Sequence, residues 1–395
     1  MIKTYGKIIL ASILLTPILY AKDSTKKIVK PAFKTIWQKT YGGSDDDIAN
    51  GVIMLENGDS AIIGMCKSAG AIRGDICVTR INSNGDTKWR KLIKGKKEDR
   101  GVAISRAKDG NLLILGSGKS FNDNGDRDLY VAKMSLNGKL LWHRTFGGDR
   151  DEFAGGIAGT NDGGVLVVGD SESFSKRGYK DILIIRLDKN GKTVSEKRIG
   201  GKRGEEAKAL TRTADGNFIM VGSREVKRSG DADFFLLKLD QNGKKIWART
   251  FGGDDYDVLN GVAPTPNGGI VATGATRSFG SKQSDLSVMY FNKNGKLIWH
   301  KIYGYDYEDR GNAITMTKDG GYIIAGTTNS MGKGEYDTYI IALNSKGSLI
   351  WSKLYGGREN DIAHGITRTT DGGVIVVGQS DSFTRSKDFY MIKLR

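Results

Sequence analysis

Acidic residues that recur at a fixed spacing are the first candidates for chemistry in this chain of 395 residues. The first set is Asp47, Asp99, Glu152, Glu205, Asp257, Asp309 and Asp361. A second set keeps the same period, at Asp75, Asp128, Asp181, Asp233, Asp285, Asp337 and Asp388. A ring of carboxylates could gather a cation, or a basic or hydroxyl-rich ligand. Alternatively, each carboxylate accepts backbone N–H groups and fixes its own loop.

The regularity of the two sets bears on this choice. Equivalent positions in every unit favour equivalent structural roles. Catalysis normally needs different residues in different roles, which breaks the symmetry of a repeat. The pattern therefore favours loop fixing, and the first set remains the candidate ligand-binding ring.

Other chemistry finds little support in the sequence. Acidic runs such as Asp254 to Asp257 suggest calcium, but Lys202 to Gly204 occupies the same place in another unit, and calcium needs a regular set of oxygen ligands. No two histidines have zinc-ligand spacing, and no nucleophile elbow, phosphate loop or dinucleotide fingerprint occurs in a suitable context. The sequence thus predicts no catalytic residue, no metal and no cofactor. The three histidines, expected at the surface or in packing, are His143, His300 and His364.

The elements that carry these residues follow from an internal repeat of about 52 residues. One glycine ends an apolar run in each unit, at Gly64, Gly116, Gly169, Gly222, Gly274, Gly326 and Gly378. All six tryptophans keep the same period, at Trp37, Trp89, Trp142, Trp247, Trp299 and Trp351. Ser195 takes the place of the missing one.

Each unit holds four short apolar runs separated by Asn-Gly, Asp-Gly or Gly-Gly turns, which is typical of antiparallel strands joined by hairpins. Four strands in each of seven units predict an all-β, seven-bladed propeller. The chain begins with a lone tryptophan strand, Phe33 to Thr40, and ends at Arg395 where such a strand is due. We therefore expect the N-terminal strand to close the ring as the outer strand of the last blade.

This phase also predicts where the acidic sets lie. The loops entering each blade and the loops joining its second and third strands share one face, and both sets belong to those loops. The innermost strands need small residues near the axis, and they have them at Gly51, Ala103, Gly156, Ala209, Gly261, Ala313 and Gly365.

The repeated D-G-G-x-I-x-V-x-G strand and the N-G-K-x-I-W turn resemble those of secreted bacterial β-propeller repeat proteins, from Phe33 to Arg395. Turns such as Asn137-Gly138 leading to Trp142 also resemble the tryptophan motif of pyrroloquinoline-quinone-type propellers. Enzymes of that group generally have eight units, and no residue here can be carried over as a quinone ligand. The resemblance implies the fold, and it implies no shared activity.

The N-terminus has the pattern of an export signal. Lys3 and Lys7 precede an apolar run from Ile8 to Leu19, and Ala21 offers a cleavage site before Lys22. A retained anchor is the alternative, but the run is short for a membrane span. We therefore expect a signal peptide at 1–21, a linker at 22–32 and the propeller at 33–395, exported to the periplasm or the medium, with no transmembrane segment after cleavage.

The only two cysteines, Cys66 and Cys77, lie in the first unit at the ends of neighbouring strands. An oxidising compartment would let a disulfide persist between them. A pair of buried thiols is the alternative, because one slip in strand register turns a side chain to the other face.

The formal net charge of +16 is spread over every repeat, which is typical of a well-hydrated surface and, with export, argues against nucleic acid. Short loops and a near-symmetric axial opening favour a monomeric, non-catalytic binding or scaffolding propeller for a protein, glycan or cell-envelope component. The alternative is an enzyme, quinone-dependent or acting on a polysaccharide. A cluster of different kinds of polar residue at that opening would favour the enzyme. A structural module of a larger envelope assembly is the third hypothesis.

Overall fold

The computed structural model describes residues 33–68, 70, 73–173, 179–226, 231–281 and 283–395. The predicted signal peptide (1–21) and linker (22–32) lie outside the described residues. All regular elements of the described part are β-strands, 28 in number, and none is a helix. The described residues accordingly contain no helix long and apolar enough to cross a membrane.

The strands form seven antiparallel sheets of four, so the predicted seven-bladed propeller is confirmed. Blade 1 contains β2 (Asp47–Met54), β3 (Ser60–Cys66), β4 (Asp75–Ile81) and β5 (Thr87–Ile93). Blade 2 contains β6 (Asp99–Arg106), β7 (Leu112–Gly118), β8 (Asp128–Met134) and β9 (Leu140–Phe146). Blade 3 contains β10 (Glu152–Gly159), β11 (Val165–Ser171), β12 (Asp181–Leu187) and β13 (Thr193–Ile199). Blade 4 contains β14 (Glu205–Arg212), β15 (Phe218–Glu225), β16 (Ala232–Leu239) and β17 (Lys245–Phe251).

Blade 5 contains β18 (Asp257–Pro264), β19 (Ile270–Thr276), β20 (Asp285–Phe291) and β21 (Leu297–Tyr303). Blade 6 contains β22 (Asp309–Met316), β23 (Tyr322–Thr328), β24 (Asp337–Leu343) and β25 (Leu349–Tyr355). Blade 7 contains β26 (Asp361–Arg368), β27 (Val374–Ser380), β28 (Asp388–Leu394) and, from the start of the chain, β1 (Thr35–Tyr41).

The N-terminal strand closes the ring as predicted. Strand β1 pairs antiparallel with β28, and the sheet order is β1-β28-β27-β26. Two reciprocal backbone hydrogen bonds join Lys34 and Arg395, at 2.7 and 2.9 Å. Blade 7 therefore combines both ends of the described chain, and its sheet gains the outer strand that it would otherwise lack.

The core lies between the blades. Seven clusters of buried apolar side chains each join two neighbouring blades, and one of them joins blade 7 to blade 1. Second and third strands supply most of these side chains; Leu112–Gly118 and Asp128–Met134, for example, are buried along their whole length. Burial on both faces explains why these strands read as continuous apolar runs rather than as alternating ones.

The recurring glycine of the second strand faces a β-bulge in the first strand. In blade 7 the register shifts between Ala363 and Gly365, opposite Gly378. A Cβ atom on Gly378 would collide with the backbone oxygen of Ile362, and a Cβ on Gly222 would collide with that of Glu206. The period of the repeat is thus set by a close backbone approach that only glycine permits.

The tryptophans tie each blade to the next. The indole nitrogens of Trp37, Trp89 and Trp142 donate to backbone oxygens in the turn that joins the third and fourth strands of the following blade, at 3.4, 3.1 and 3.3 Å. Trp351 packs instead against Phe33, with ring centroids 5.9 Å apart. Phe33 precedes β1, and no turn joins the third and fourth strands of blade 7 because β28 and β1 lie far apart in sequence. Each of these four tryptophans therefore contacts the blade that follows its own.

In the structure a disulfide joins Cys66 at the end of β3 to Cys77 in β4, with 5.5 Å between the Cα atoms. The two residues lie diagonally, because Cys66 pairs with Asp75 and Cys77 pairs with Gly64.

Candidate functional site

The two faces of the propeller differ in kind. We call one the loop face; it carries the loops that enter each blade, such as 94–98, and the loops between second and third strands, such as 119–127. We call the other the turn face; it carries tight turns such as 107–111 and 135–139. In blade 2 the entering loop and both turns have five residues each, whereas the loop between the second and third strands has nine.

The first acidic set opens the innermost strand of every blade and is buried at the base of the loop face. The side chains are at most 1% exposed. In blade 7, Asp361 Oδ2 accepts the amide of Gly357 at 2.8 Å and the hydroxyl of Ser382 at 2.6 Å. One carboxylate therefore holds both loops of its blade.

Six blades share this hydrogen-bonded pair of an acid and a serine, which we call the acid–serine clasp. The hydroxyl of Ser330 donates to Asp309 at 2.8 Å, and that of Ser173 donates to Glu152 at 2.5 Å. In blade 2 the amide of Ser120 donates to Asp99 at 3.1 Å. The acid–serine pairs are Asp47–Ser68, Asp99–Ser120, Glu152–Ser173, Asp257–Ser278, Asp309–Ser330 and Asp361–Ser382.

Blade 4 departs from the clasp. Val226 stands where the other blades have serine, and Glu205 instead forms an ion pair with Arg224, with 3.0 Å between Oε1 and Nε. Burial raises the pKa of Glu205 to about 7, which the ion pair only partly opposes. Burial is also the main cause that raises the pKa of Asp99, Glu152, Asp257 and Asp309.

The second acidic set holds the same loops from the third strand. Asp75 accepts the amide of Gly95 at 2.9 Å, and Asp337 accepts that of Lys333 at 2.8 Å. The glycine that follows the fourth strand lies directly against this carboxylate in six blades, so that a Cβ there would collide with it; the pairs are Gly42–Asp388, Gly147–Asp128, Gly200–Asp181, Gly252–Asp233, Gly304–Asp285 and Gly356–Asp337.

These contacts support the loop-fixing role that the sequence favoured for both sets. A ligand would reach the first set only by displacing the loops that cover it. A binding role for Asp47, Asp99, Glu152, Glu205, Asp257, Asp309 and Asp361 stays a prediction.

The positions beside the first set differ from blade to blade, and they lie around the axis. One is the residue after the acid; the other is the bulge residue, such as Asn50, whose amide donates to the backbone oxygen of Gly101 in the next blade at 2.7 Å. The residues after the acid are Ile48, Arg100, Phe153, Glu206, Val258, Arg310 and Ile362. The bulge residues are Asn50, Val102, Gly155, Lys208, Asn260, Asn312 and His364.

Several different kinds of polar group lie close together on one side of the axis, in blades 2 to 4. The carboxylate of Glu206 forms ion pairs with the ammonium groups of Lys180 and Lys208, each with 2.8 Å between oxygen and nitrogen. The ammonium of Lys180 lies 4.2 Å from the ring centroid of Phe153, and the guanidinium of Arg127 lies 5.7 Å from it. The axial opening is therefore less symmetric than the repeat had indicated.

Asp170 is the most perturbed carboxyl of this side. It is 2% exposed, and burial raises its pKa to about 7. Its Oδ1 accepts the amide of Ala207 at 2.9 Å, and its Oδ2 lies 3.7 Å from Lys180. The group is enclosed, so its direct partners are protein atoms.

The histidines are scattered as expected, but His364 lies at the axis rather than at the surface. Its Nε2 is 3.4 Å from Gln379 Oε1, and burial lowers its pKa to about 4. His143 stacks on Tyr130, and His300 meets Phe234 edge-on. In the part of the chain that the structure describes, no group of three His, Cys, Asp or Glu side chains is placed to hold a metal ion.

Exposed aromatic side chains stand on the loop face in blades 6 and 7. Tyr305, Tyr307 and Phe383 are 57%, 58% and 51% exposed. The turn face has a cleft of 420 Å³ between blades 2, 3 and 4, but its cations bridge the turns: Lys108 donates to the backbone oxygen of Asn161 at 2.8 Å, and Arg212 donates to the side chain of Asn161.

Sequence reasoning missed the serines and the axial residues. A signal for both was present: serine recurs four residues after the repeat glycine in six units, and the residues flanking the first acidic set vary while the set itself is constant. Aligning the units column by column, and asking which columns vary beside an invariant one, would have found them.

No family model matches the chain. The regulatory protein FlaEY of Caulobacter vibrioides is 23% identical over 178 residues, which cover 39% of this chain and 18% of that protein. The chain thus spans less than a fifth of that relative.

Solved structures match far more of the chain. A protein of unknown function from Dyadobacter fermentans matches with a TM-score of 0.57 and 12% identity, covering 92% of this chain and 99% of that one. Sqt1 of Chaetomium thermophilum, bound to the N-terminus of the ribosomal protein L10, gives 0.51 and 12%, with 86% and 84% covered. YCF48 bound to D1 peptide gives 0.52 and 9%, with 94% and 98% covered.

These likenesses are to folds only, and none of them tests the resemblance to quinone-type propellers, which stays a prediction. Together with the strand order, they show that this chain is a seven-bladed β-propeller.

Proposed function

We propose that this chain is an exported, non-catalytic binding propeller that recognises a segment of another protein on its loop face. One observation carries the proposal: exposed aromatic side chains stand on loops that the acid–serine clasps hold in place. Asp309 accepts the amide of Tyr305 at 2.9 Å, and Ser330 of the same clasp accepts the amide of Tyr307 at 3.1 Å. Phe383 directly follows Ser382 of the next clasp.

Rigid aromatic anchors suit protein recognition for two reasons. Tyrosine and other aromatic side chains dominate the binding energy of many interfaces, because they bury a large area with few rotatable bonds. A loop that is already fixed loses little conformational entropy on binding. The turn face shows no comparable aromatic exposure among the described residues.

The comparisons lend support to a protein ligand. The Sqt1 propeller was solved with the N-terminus of L10, and YCF48 was solved with D1 peptide. In both cases the partner is a protein segment. A glycan or another envelope component is the alternative ligand for this chain.

The export part of the proposal rests on the N-terminal pattern at 1–21 and on the disulfide between Cys66 and Cys77. Disulfides persist in oxidising compartments outside the cytoplasm. Expression of the full chain in a bacterial host should yield a protein that begins at Lys22, with no free thiol after denaturation without reductant. A protein that retains Met1, or that titrates with two thiols, would contradict export.

The binding experiment uses the chain from Lys22 to Arg395 and a display library of random peptides. The loop-face variant combines Tyr305→Ser, Tyr307→Ser and Phe383→Ser. The matched control combines Val194→Ser, Ile246→Ser and Ile298→Ser, which are about as exposed but lie on outer strands. Selected peptides should bind the control as they bind the unaltered chain, and should lose about tenfold or more in affinity for the loop-face variant. Equal affinity for all three proteins would overturn the proposal.

The enzyme alternative has one observation in its favour, the unlike polar groups around Asp170, whose pKa is near neutrality. Such a pKa suits a general acid or base. However, the carboxyl of Asp170 is enclosed and accepts a hydrogen bond from the backbone amide of Ala207, so a substrate would have no direct approach to it. The geometry therefore supports binding better than catalysis.

A further inference from the structure

Four cationic side chains converge beside the axis on the loop face, in blades 2 to 4. Two of them, Lys180 and Lys208, form ion pairs with Glu206, and Lys180 also lies 3.7 Å from Asp170. The other two, Arg100 and Arg127, form no ion pair with any carboxylate of the described residues. The guanidinium groups of Arg100 and Arg127 therefore carry positive charge that no salt bridge within the described residues offsets.

The side chain of Arg100 is hydrogen-bonded to an amide rather than paired with an acid. Its Nη2 donates to Asn50 Oδ1 at 2.7 Å, and the side chain is half-buried. Burial lowers the pKa of Arg100, and the charge of Arg127 lowers it further, while the exposed Glu98 acts in the opposite direction without forming an ion pair. The two arginines lie at the loop-face end of the same blade, because Asp99 pairs with Gly118 and Gly118 pairs with Asp128, so Arg100 and Arg127 flank the ends of one row of paired residues. Their like charges therefore oppose each other across this blade.

The guanidinium of Arg127 contacts an aromatic ring and forms no ion pair, although its backbone amide donates to the carboxylate of Asp151 at 2.8 Å. Its guanidinium lies 5.7 Å from the ring centroid of Phe153, which Lys180 approaches to 4.2 Å. Its Nε atom is buried and has no hydrogen-bond acceptor among the described residues. A buried donor without an acceptor costs free energy, and so does a pair of like charges in a partly dry site.

The part of this cost that comes from the like charges falls when a bound ligand supplies the missing negative charge. The planar guanidinium group donates two parallel hydrogen bonds, which match a carboxylate or a phosphate. The ring of Phe153 next to Arg127 adds an apolar wall, which suits the methylene groups that carry a side-chain carboxylate in a peptide.

We propose that Arg100 and Arg127 form an anion site at the axial opening, and that this site takes a carboxylate of an acidic peptide segment. The peptide assignment rests on the proposed function, because the exposed aromatic anchors lie on the same face. The anion site itself rests only on the two arginines and their surroundings.

The first test measures binding of three probes to the chain from Lys22 by isothermal titration calorimetry: hexaglutamate, hexaglutamine and inorganic phosphate. Hexaglutamate should bind, with affinity that falls as salt rises, and hexaglutamine should not. Absence of hexaglutamate binding would overturn the site. Phosphate binding tighter than hexaglutamate binding would overturn the carboxylate assignment.

The second test compares two double variants with the same change in net charge. Arg100→Gln with Arg127→Gln should weaken hexaglutamate binding about tenfold or more, because it removes both forks. The control, Arg144→Gln with Arg249→Gln, alters exposed arginines of outer strands that donate only to neighbouring backbone oxygens, and should leave affinity within about twofold. Equal losses would indicate a net-charge effect and overturn the site.

Thermal unfolding separates a ligand site from a structural role. Removing two repelling charges should leave the melting temperature of the axial variant unchanged or raised. A clear fall would mean that Arg100 and Arg127 serve the fold, and would overturn the proposal. If hexaglutamate binds but the display library yields no peptide, the anion site is supported and the proposed function is overturned. If selected peptides bind through the aromatic residues but hexaglutamate does not bind, the proposed function is supported and the anion site is overturned.

Discussion

Ser382 donates its hydroxyl to Oδ2 of Asp361 at 2.6 Å, and the same hydroxyl oxygen accepts the amide of Glu359 at 3.0 Å. A single pair of residues thus connects the loop that enters blade 7 to the loop between its second and third strands. The pair is separated by 21 residues, and the same acid–serine spacing recurs in six blades. The period of the sequence therefore encodes the fixing of the loop face.

Ser382→Ala should lower the free energy of unfolding by about 1–3 kcal/mol, because it leaves the buried carboxylate of Asp361 with one fewer donor. Denaturant unfolding followed by tryptophan fluorescence measures the change. Ser195→Ala, on an outer strand, is the control and should change stability by less than about 0.5 kcal/mol. Equal values for the two variants would show that the clasp is dispensable.

Gly378→Ala should be among the most damaging single substitutions of small size. The new Cβ would collide with the backbone oxygen of Ile362, so the bulge of the innermost strand would have to move. We expect a loss of about 3 kcal/mol or more. The control is Gly201→Ala, where the nearest atoms are 3.8 Å from a Cβ. A melting temperature for Gly378→Ala as high as that of Gly201→Ala would disprove the close approach.

The tryptophans should differ in their contribution to stability according to what covers them. Trp351 is 4% exposed beneath Phe33, whereas Trp142 is half-buried on the outside of blade 2. Trp351→Ala should cost about 3–5 kcal/mol and Trp142→Ala about 1–3 kcal/mol. Hydrogen exchange should find the strand of Ser195, which lacks a tryptophan, among the least protected outer strands. A larger cost at Trp142 than at Trp351 would contradict this order.

Glu205 should make the protein less stable as the pH rises. Burial raises its pKa to about 7 from an ordinary value of 4.5, so the folded state binds more protons than the unfolded state between these values. The stability that this group contributes is complete below the unfolded pKa and is lost as the pH rises through the folded pKa. Glu205→Gln should remove about 1–3 kcal/mol of the decline in unfolding free energy between about pH 5 and pH 8.

The control for Glu205 is Glu359→Gln, which makes the same charge change on an exposed loop residue. Urea unfolding at the two pH values gives the free energies. If both variants show the same dependence on pH as the unaltered chain, Glu205 is not the source of the decline.

The repeat made the fold predictable because its period reports backbone requirements. Gly378 must be glycine beside the bulge, and Trp351 must cover the junction between blades, so both recur where the backbone recurs. Ring closure followed from the incomplete unit at each end. The position of both acidic sets on the loop face was predicted for the same reason, since a side chain that fixes a loop recurs with that loop.

The residues of the proposed site were not predictable in this way. Arg100 and Arg127 occupy positions of the repeat that vary from unit to unit, and a variable position does not reveal whether a partner lies nearby. Only the structure brings Arg100 to Asn50 of one neighbouring blade and Arg127 to Phe153 of the next. Whether either guanidinium has an ion-pair partner depends on residues of three blades together, and no window of sequence contains it.

The closing strand should contribute cooperatively to the whole ring. Removing residues 22–40 deletes most of β1 and Phe33, so it exposes the edge of β28 and the buried face of Trp351. We expect a loss of several kcal/mol and a tendency to associate through the open edge, whereas removing only 22–31 should leave the melting temperature unchanged. If the shorter protein does not fold alone, a synthetic peptide of residues 33–41 added in trans should restore it by pairing with β28. Identical melting temperatures for both truncations and the chain from Lys22 would show that the ring does not depend on this strand.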